Sequence, residues 1–259
     1  MKTQIQFGLG LIGIGRAWGY RQDPIPSEAL VNQLLSHALR LGIRFLDTAP
    51  AYGNSEERLG EFLNTLNSEE VAQLIVATKC GEHWDAQSGL TYVDHSYAAL
   101  CHSLDNSLRK LRKVDVLQLH KSTPPVLRDI TVHKAFEYAI SRGVRTFGAS
   151  VSDLESATIA IQHEMYSYIQ FPFNLANRAL EQAFDLADKH GKKIIVNRPF
   201  DEGRLLYTEA GKGNSPEALA EAYRFILQRS FRGVILSGTK LLAHLGSNWS
   251  AFQSAMADL

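Results

Sequence analysis

Gly42-Ile43-Arg44-Phe45-Leu46-Asp47-Thr48-Ala49-Pro50-Ala51-Tyr52-Gly53-Asn54-Ser55-Glu56 is the stretch on which the reading of this chain turns. Gly42 follows Leu41 as the residue type that ends a helix in the left-handed conformation. Arg44–Asp47 then reads as a short strand whose final residue is an acid, and Tyr52 sits in the loop just beyond it. Helix, glycine, strand, polar strand end: this is one joint of a repeating α/β chain.

The same joint recurs outward in both directions. Candidate strands lie at Ile5–Leu9, Arg44–Asp47, Leu74–Lys79, Val114–His120, Val144–Ala149, Tyr168–Gln170, Lys193–Asn197 and Gly233–Ser237. Their nearly continuous apolar runs suit strands covered on both faces of a parallel sheet. Between them, Leu100, Leu104, Leu108 and Leu111 form a stripe at helical spacing, with Asp94 as the candidate cap. Ser152 and Glu155 have capping-box spacing, and Ser215-Pro216 places a cap and an N1 proline before Glu217–Leu227. Gly42, Gly143, Gly191 and Gly233 mark the helix-to-strand joints. Eight strands alternating with helices fit a (β/α)₈ TIM barrel, and an open doubly wound sheet shows the same alternation. No Pro-, Gly- or Ser-rich linker divides residues 1–259, so a single domain is expected.

The 259 residues are 45% hydrophobic, enough for one substantial core, and the charges balance: Lys+Arg 27 against Asp+Glu 27. The longest basic run, Arg109-Lys110-Leu111-Arg112-Lys113, reads as a solvated helix end, so no nucleic-acid partner is expected. Cys80 and Cys101 form no disulfide framework, and Met1–Gln4 lack a basic-then-apolar leader pattern. No window approaches the ~20 apolar residues of a membrane span. A cytoplasmic protein without a membrane partner is the expectation; oligomeric state is not read from these residues. His163-Glu164-Met165 lacks a second histidine, and no metal is expected.

Asp47, Lys79 and His120 end candidate strands, with Tyr52 one loop beyond. In a barrel all strand C-termini share one face, so these residues would converge there. Singly, Asp47 reads equally as a helix cap, Lys79 as a rim charge and His120 as a satisfied strand-end histidine. Together they make a chemical set. A tyrosine with a pKa of about 10 is a poor acid near neutrality, and a nearby ammonium lowers that value. Asp47 would hold Lys79 charged and aimed, and His120 would orient a carbonyl oxygen beside Tyr52. A side chain cannot supply the hydride such chemistry needs, so a nicotinamide cofactor is implied.

With its Asp-to-Tyr spacing intact, the stretch Gly42–Glu56 resembles the signature of the aldo-keto reductase family, and Lys79 and His120 fall at that family's lysine and histidine. The likeness continues through Gly148-Ala149-Ser150, through Ile169-Gln170-Phe171-Pro172-Phe173-Asn174, and through Gly238-Thr239-Lys240 to Asn248. It implies a barrel rather than an open sheet, and the reduction of small-molecule aldehydes or ketones. Asp47, Tyr52, Lys79 and His120 would be the catalytic tetrad, with Tyr52 the general acid.

The resemblance also implies a cofactor, NADP with NAD as the alternative. Gln170 and Ser150 match its carboxamide-binding pair, while Val151 replaces the usual asparagine. Asn197 or Arg198 stands where an aromatic residue is expected against the nicotinamide. Ser237, Gly238, Thr239 and Lys240 lead into a helix suited to an adenosine phosphate. His244 replaces an arginine, Ser247 an acid, and Asn248 is retained. These departures motivate a second reading, a cofactor-binding regulatory barrel with weak or no turnover.

A rival signal is Gly8-Leu9-Gly10-Leu11-Ile12-Gly13, a G-x-G-x-x-G run after a strand, with Glu28 about 20 residues on. The dinucleotide fold needs a helix starting in that turn, whereas Gly15, Gly19, Pro24 and Pro26 disfavour one. Trp18, Tyr20 and Trp84, with His83, lie in loops expected on the strand-end face and are candidate walls of a substrate pocket. Cys80 reads as a small buried hydrophobe, and Tyr92, Tyr97, Tyr166, Tyr168 and Tyr207 have no partner set like that of Tyr52. The chain stops at Leu259, before the long C-terminal loop of many family members, which implies a short, open pocket.

Overall fold

The computed structural model describes residues 5–206 and 215–258; Tyr207 lies outside them. Ten strands run β1 (Ile5–Gly10), β2 (Phe45–Asp47), β3 (Ile75–Cys80), β4 (Glu82–Asp85), β5 (Leu90–Val93), β6 (Val116–Leu119), β7 (Thr146–Ser150), β8 (Tyr166–Pro172), β9 (Lys193–Asn197) and β10 (Gly233–Gly238). Eight of them close into a parallel barrel in the order β1-β10-β9-β8-β7-β6-β3-β2, so the sheet has no edge. The helices that alternate with these strands form the outer ring of a single-domain (β/α)₈ barrel.

Alternation along the strands creates two cores. Outward residues such as Val76, Leu117, Ile169 and Ile235 pack in the layer between sheet and helices. Phe45, Ala77, Val116, Tyr168, Ile195, Val234 and Leu236 fill the barrel interior as a separate apolar cluster. This filled interior gives the functional face a floor.

Gly42, Gly143 and Gly191 end their helices at φ +83°, +96° and +66°, and Ser215 caps the helix Pro216–Leu227 by accepting from Ala218 N. Two caps differ from the sequence expectation. Helix Tyr97–Leu111 is capped by Ser96, while Asp94 accepts from Ser96 N at 2.8 Å in the turn before it. Helix Leu154–Gln162 is capped by Asp153 rather than Ser152, its carboxylate taking both Ser156 N at 2.8 Å and Ser156 Oγ at 2.7 Å. A carboxylate outperforms a hydroxyl there because its charge also suits the helix dipole.

After β1 a single helical turn forms at Ile12–Gly15, where the sequence had argued against any helix. One turn is too short to build a dinucleotide-binding helix, and Glu28 opens the separate helix Glu28–Arg40 inside a closed barrel. The antiparallel hairpin β4–β5 was not anticipated: His83 and Trp84 read as loop residues because no apolar alternation marks them. His83 stacks on Tyr92 across it, with ring centroids 5.0 Å apart. Among the described residues no helix is long and apolar enough to cross a membrane.

Candidate active site

The step of two residues that fills the barrel also builds the site. One step beyond the apolar plug, Phe45 gives way to Asp47, Ala77 to Lys79, Val116 to Gln118, Tyr168 to Gln170 and Ile195 to Asn197. All lie at the C-terminal ends of parallel strands, so a polar layer covers the floor. His120 follows β6 directly, its backbone N donating to Cys80 O at 2.8 Å.

Lys79 is the centre of this layer and is 1% exposed. Its ammonium donates to Asp47 Oδ2 at 2.6 Å and to Thr48 O at 3.0 Å. Gln118 Nε2 donates to Asp47 Oδ1 at 2.9 Å, so both carboxylate oxygens are engaged. Burial alone disfavours the charged lysine, but Asp47 and the neighbouring phenol outweigh it and raise its pKa above the usual value. Lys79 is thereby a fixed buried cation.

Tyr52 reaches this cation because its loop is drawn against the turn after β1. Ser55 Oγ donates to Leu11 O at 3.0 Å and shares a hydrogen bond with Thr48 Oγ1 at 2.8 Å. Arg58 donates to Ile14 O at 2.8 Å and Pro26 O at 2.7 Å, and Glu56 Oε1 accepts from both Thr78 and Ser107. Gly15 and Gly53 make the close approach possible: a Cβ on Gly15 would lie 1.8 Å from Tyr52 O, and one on Gly53 2.3 Å from Gly15 O. Lys79 Nζ lies 4.9 Å from the Tyr52 ring centroid. The sequence had Lys79 lowering the tyrosine's pKa. Lys79 does pull it down, but burial is the larger effect and the net direction is up, so the phenol keeps its proton.

The His120 ring stands edge-on to Tyr52 with centroids 6.0 Å apart. Glu82 Oε2 lies 3.1 Å from its Nδ1, without the alignment of a hydrogen bond. Burial, then the charges of Lys79, Lys121 and Arg16, hold the imidazole well below its usual pKa, so it is neutral at neutral pH. His95 Nε2 donates to His120 O at 2.7 Å and fixes the backbone of this strand end.

A cleft of roughly 500 Å³ opens above the layer, reaching Asp47, Tyr52 and His120. Ser150, Gln170, Asn197 and Arg198 border it, as do Gly238, Thr239, Lys240, His244 and Asn248. Ser237 lies behind that wall, buried, with its Oγ accepting from Asn248 Nδ2 at 2.8 Å. Gln170 Oε1 and Asn197 Oδ1 are buried and have no hydrogen-bond partner among the described residues. Such oxygens fit a ligand that donates N–H groups, as the carboxamide of a nicotinamide does. Arg198 adopts φ +54°, and its guanidinium pairs with Glu202 at 3.2 Å and lies 5.5 Å from the Trp18 ring centroid. Lys240 donates to Asp23 O at 2.5 Å, joining the β10 end to the loop after β1.

Trp18 and Tyr20 line the cleft; Trp84 sits behind Arg16, whose guanidinium carbon lies 5.3 Å from the ring centroids of both Trp18 and Trp84. Four site residues escaped the sequence reading: Gln118, Glu82, His95 and Arg16. Gln118 carried a usable signal, standing two residues before His120 and therefore on the same inward face. The other three act from loops and a hairpin, where no periodicity points inward.

The sequence model of the aldo/keto reductase family matches residues 6–220. The chain is 30% identical over 224 residues to an Escherichia coli (strain K12) protein named NADH-specific methylglyoxal reductase, covering 80% of this chain and 67% of that one. It is 28% identical over 225 residues to aldo-keto reductase YhdN of Bacillus subtilis (strain 168), covering 85% and 62% respectively. The chain thus spans about two thirds of the length of these curated relatives. Among solved structures, the holo form of an aldo-keto reductase from Bacillus halodurans superposes with a TM-score of 0.78 at 21% identity, covering 98% of this chain and 91% of that one. A glycerol dehydrogenase from Gluconobacter oxydans gives 0.77 at 22% identity, covering 98% and 90%. At these identities the superpositions speak for the fold alone.

Proposed function

The chain belongs to the aldo/keto reductase family, and from that premise we propose that it reduces a small aldehyde or ketone to the alcohol with NADPH, through Asp47, Tyr52, Lys79 and His120. The observation that carries this reading is the buried Lys79, clamped by Asp47 at 2.6 Å beneath the Tyr52 ring on the wall of the cleft. A bound nicotinamide would supply the hydride that reaches the carbonyl carbon. Tyr52, kept protonated by burial, gives its proton to the oxygen as alkoxide character develops there. The phenolate left behind is stabilised by the ammonium of Lys79, which needs no reorganisation because Asp47 and Thr48 already hold it. Neutral His120 orients the carbonyl oxygen without competing as the acid.

Gln170 and Asn197 offer their unpartnered oxygens to the carboxamide, with Ser150 beside them on the cleft wall. Lys240 and His244, at the start of the helix Leu242–Ala257, form the end suited to a 2′-phosphate, which is the basis for NADPH over NADH. NADH is the cofactor in the name of the Escherichia coli relative and is the competing outcome. The unpaired Cys80 and Cys101 fit a reducing, cytoplasmic setting.

Fluorescence titration with NADPH and NADH side by side, followed by an aldehyde panel that includes methylglyoxal, tests this reading. Tyr52→Phe is expected to abolish aldehyde-dependent oxidation of the cofactor while cofactor binding persists. Full turnover in that variant overturns the tetrad assignment. Tight cofactor binding with no turnover by the wild type favours the regulatory barrel.

A further inference from the structure

We propose that the substrate carries a carboxylate in addition to its reducible carbonyl, and that Arg16 is the residue that binds it. This rests on the reductase reading above and specifies the substrate class for the same cleft.

Arg16 is fixed close to the acid. It follows the turn Ile12–Gly15 directly, and that turn is pressed against the Tyr52 loop. A Cβ built on Gly53 would lie 3.4 Å from the Cβ of Arg16. Trp84 belongs to the hairpin after β3, so the guanidinium between Trp18 and Trp84 stands on the β2–β3 side of the cleft. Its charge is felt at His120.

Among the described residues, Arg16 is also unmatched by any carboxylate. Lys79 pairs with Asp47 at 2.6 Å, Arg198 with Glu202 at 3.2 Å and Lys121 with Glu82 at 3.8 Å. Arg16 has no carboxylate within ion-pair distance among the described residues, and its Nε is buried without a hydrogen-bond partner. Two indole faces hold a guanidinium by cation–π attraction without neutralising it. A guanidinium whose N–H donors are not taken up by a protein carboxylate can take one from a ligand bidentately. A cation lining the same cleft as Tyr52 and His120 can recognise an anionic substituent on the molecule whose carbonyl meets Tyr52.

The test compares 4-carboxybenzaldehyde with its neutral counterpart, methyl 4-formylbenzoate, using enzyme saturated with its preferred nicotinamide cofactor. The wild type is expected to favour the acid at least tenfold in kcat/KM, mainly through KM. In Arg16→Met that ratio should collapse toward one, and Arg16→Lys, which keeps the charge without the planar edge, should restore part of it. A second readout needs no turnover: terephthalate, which cannot be reduced, should quench tryptophan fluorescence in the wild type and not in Arg16→Met. Turnover of both aldehydes with equal kcat/KM and no Arg16-dependent quenching overturns this inference and leaves the reductase reading standing. If neither aldehyde is reduced, the reductase reading fails instead. The terephthalate titration then decides alone: Arg16-dependent binding sustains the anion site, and absent or Arg16-independent binding overturns it.

Discussion

On the β2–β3–β6 side of the barrel rim, the charges of Asp47 and Lys79 satisfy each other, with Gln118 Nε2 and Thr48 O completing their bonds, while Gln118 Oε1 is left unpartnered among the described residues. On the β8–β9 side, the buried amide oxygens of Gln170 and Asn197 have no hydrogen-bond partner among the described residues. Both sides are built by the same alternation above the same apolar plug, so the difference lies in chemistry rather than fold. Charges buried without partners are prohibitively costly, so a buried lysine must be paired before any ligand arrives. Neutral amides tolerate a missing partner at far lower cost, and a ligand can supply it. The charges of the first side are therefore organised in advance, whereas the amide oxygens at the rim have hydrogen-bonding capacity to spare.

The largest break in this contrast is expected from Lys79→Met, which leaves the Asp47 carboxylate buried and unpaired. We expect a loss of about 3–5 kcal/mol in denaturant unfolding, and turnover reduced by roughly 10²–10⁴. Adding Asp47→Asn should recover part of the stability and none of the turnover. Gly53→Ala attacks the same side through the backbone, because Gly53 has φ +63° and faces Gly15 O. Its expected cost is about 1–3 kcal/mol, with turnover falling as the Tyr52 loop is displaced; unchanged thermal unfolding would refute the close-approach argument.

Gln170→Leu probes the other side. It should weaken nicotinamide-cofactor binding by about tenfold, or ~1.4 kcal/mol, with little change in melting temperature, since the lost oxygen has no partner to orphan. A large drop in melting temperature would mean that this side, too, is organised before the ligand arrives.

The last effect concerns pH. His120 is held below its unfolded pKa of about 6.5, so just below that pH the unfolded chain binds more protons than the folded one. Stability should fall as pH drops from about 6.5 toward the folded value, by at most ~1.4 kcal/mol per pH unit. His120→Asn should flatten that slope between pH 6.5 and 5.

Several of these residues were legible because their signals are local. The strand ends Asp47, Lys79 and His120, the loop position of Tyr52 and the helix-ending glycines all follow from short runs of sequence. The two caps were misplaced by one or two residues because Asp94, Ser96, Ser152 and Asp153 are all competent cap types, and backbone direction chooses among them. The hairpin β4–β5 stayed hidden because it packs aromatic and charged groups with no apolar period.

What the sequence determined by itself was the order of strands and helices and which strand-end residues share an inward face, since alternation fixes both. Whether those strands closed into a barrel or lay open was decided only by pairing β1 with β10, more than two hundred residues apart. Tertiary structure alone brought Gln118 to Asp47, set Arg16 between Trp18 and Trp84, and made burial outweigh Lys79 in setting the pKa of Tyr52. Each of these depends on distance and burial among residues remote in the chain, and local pattern carries neither.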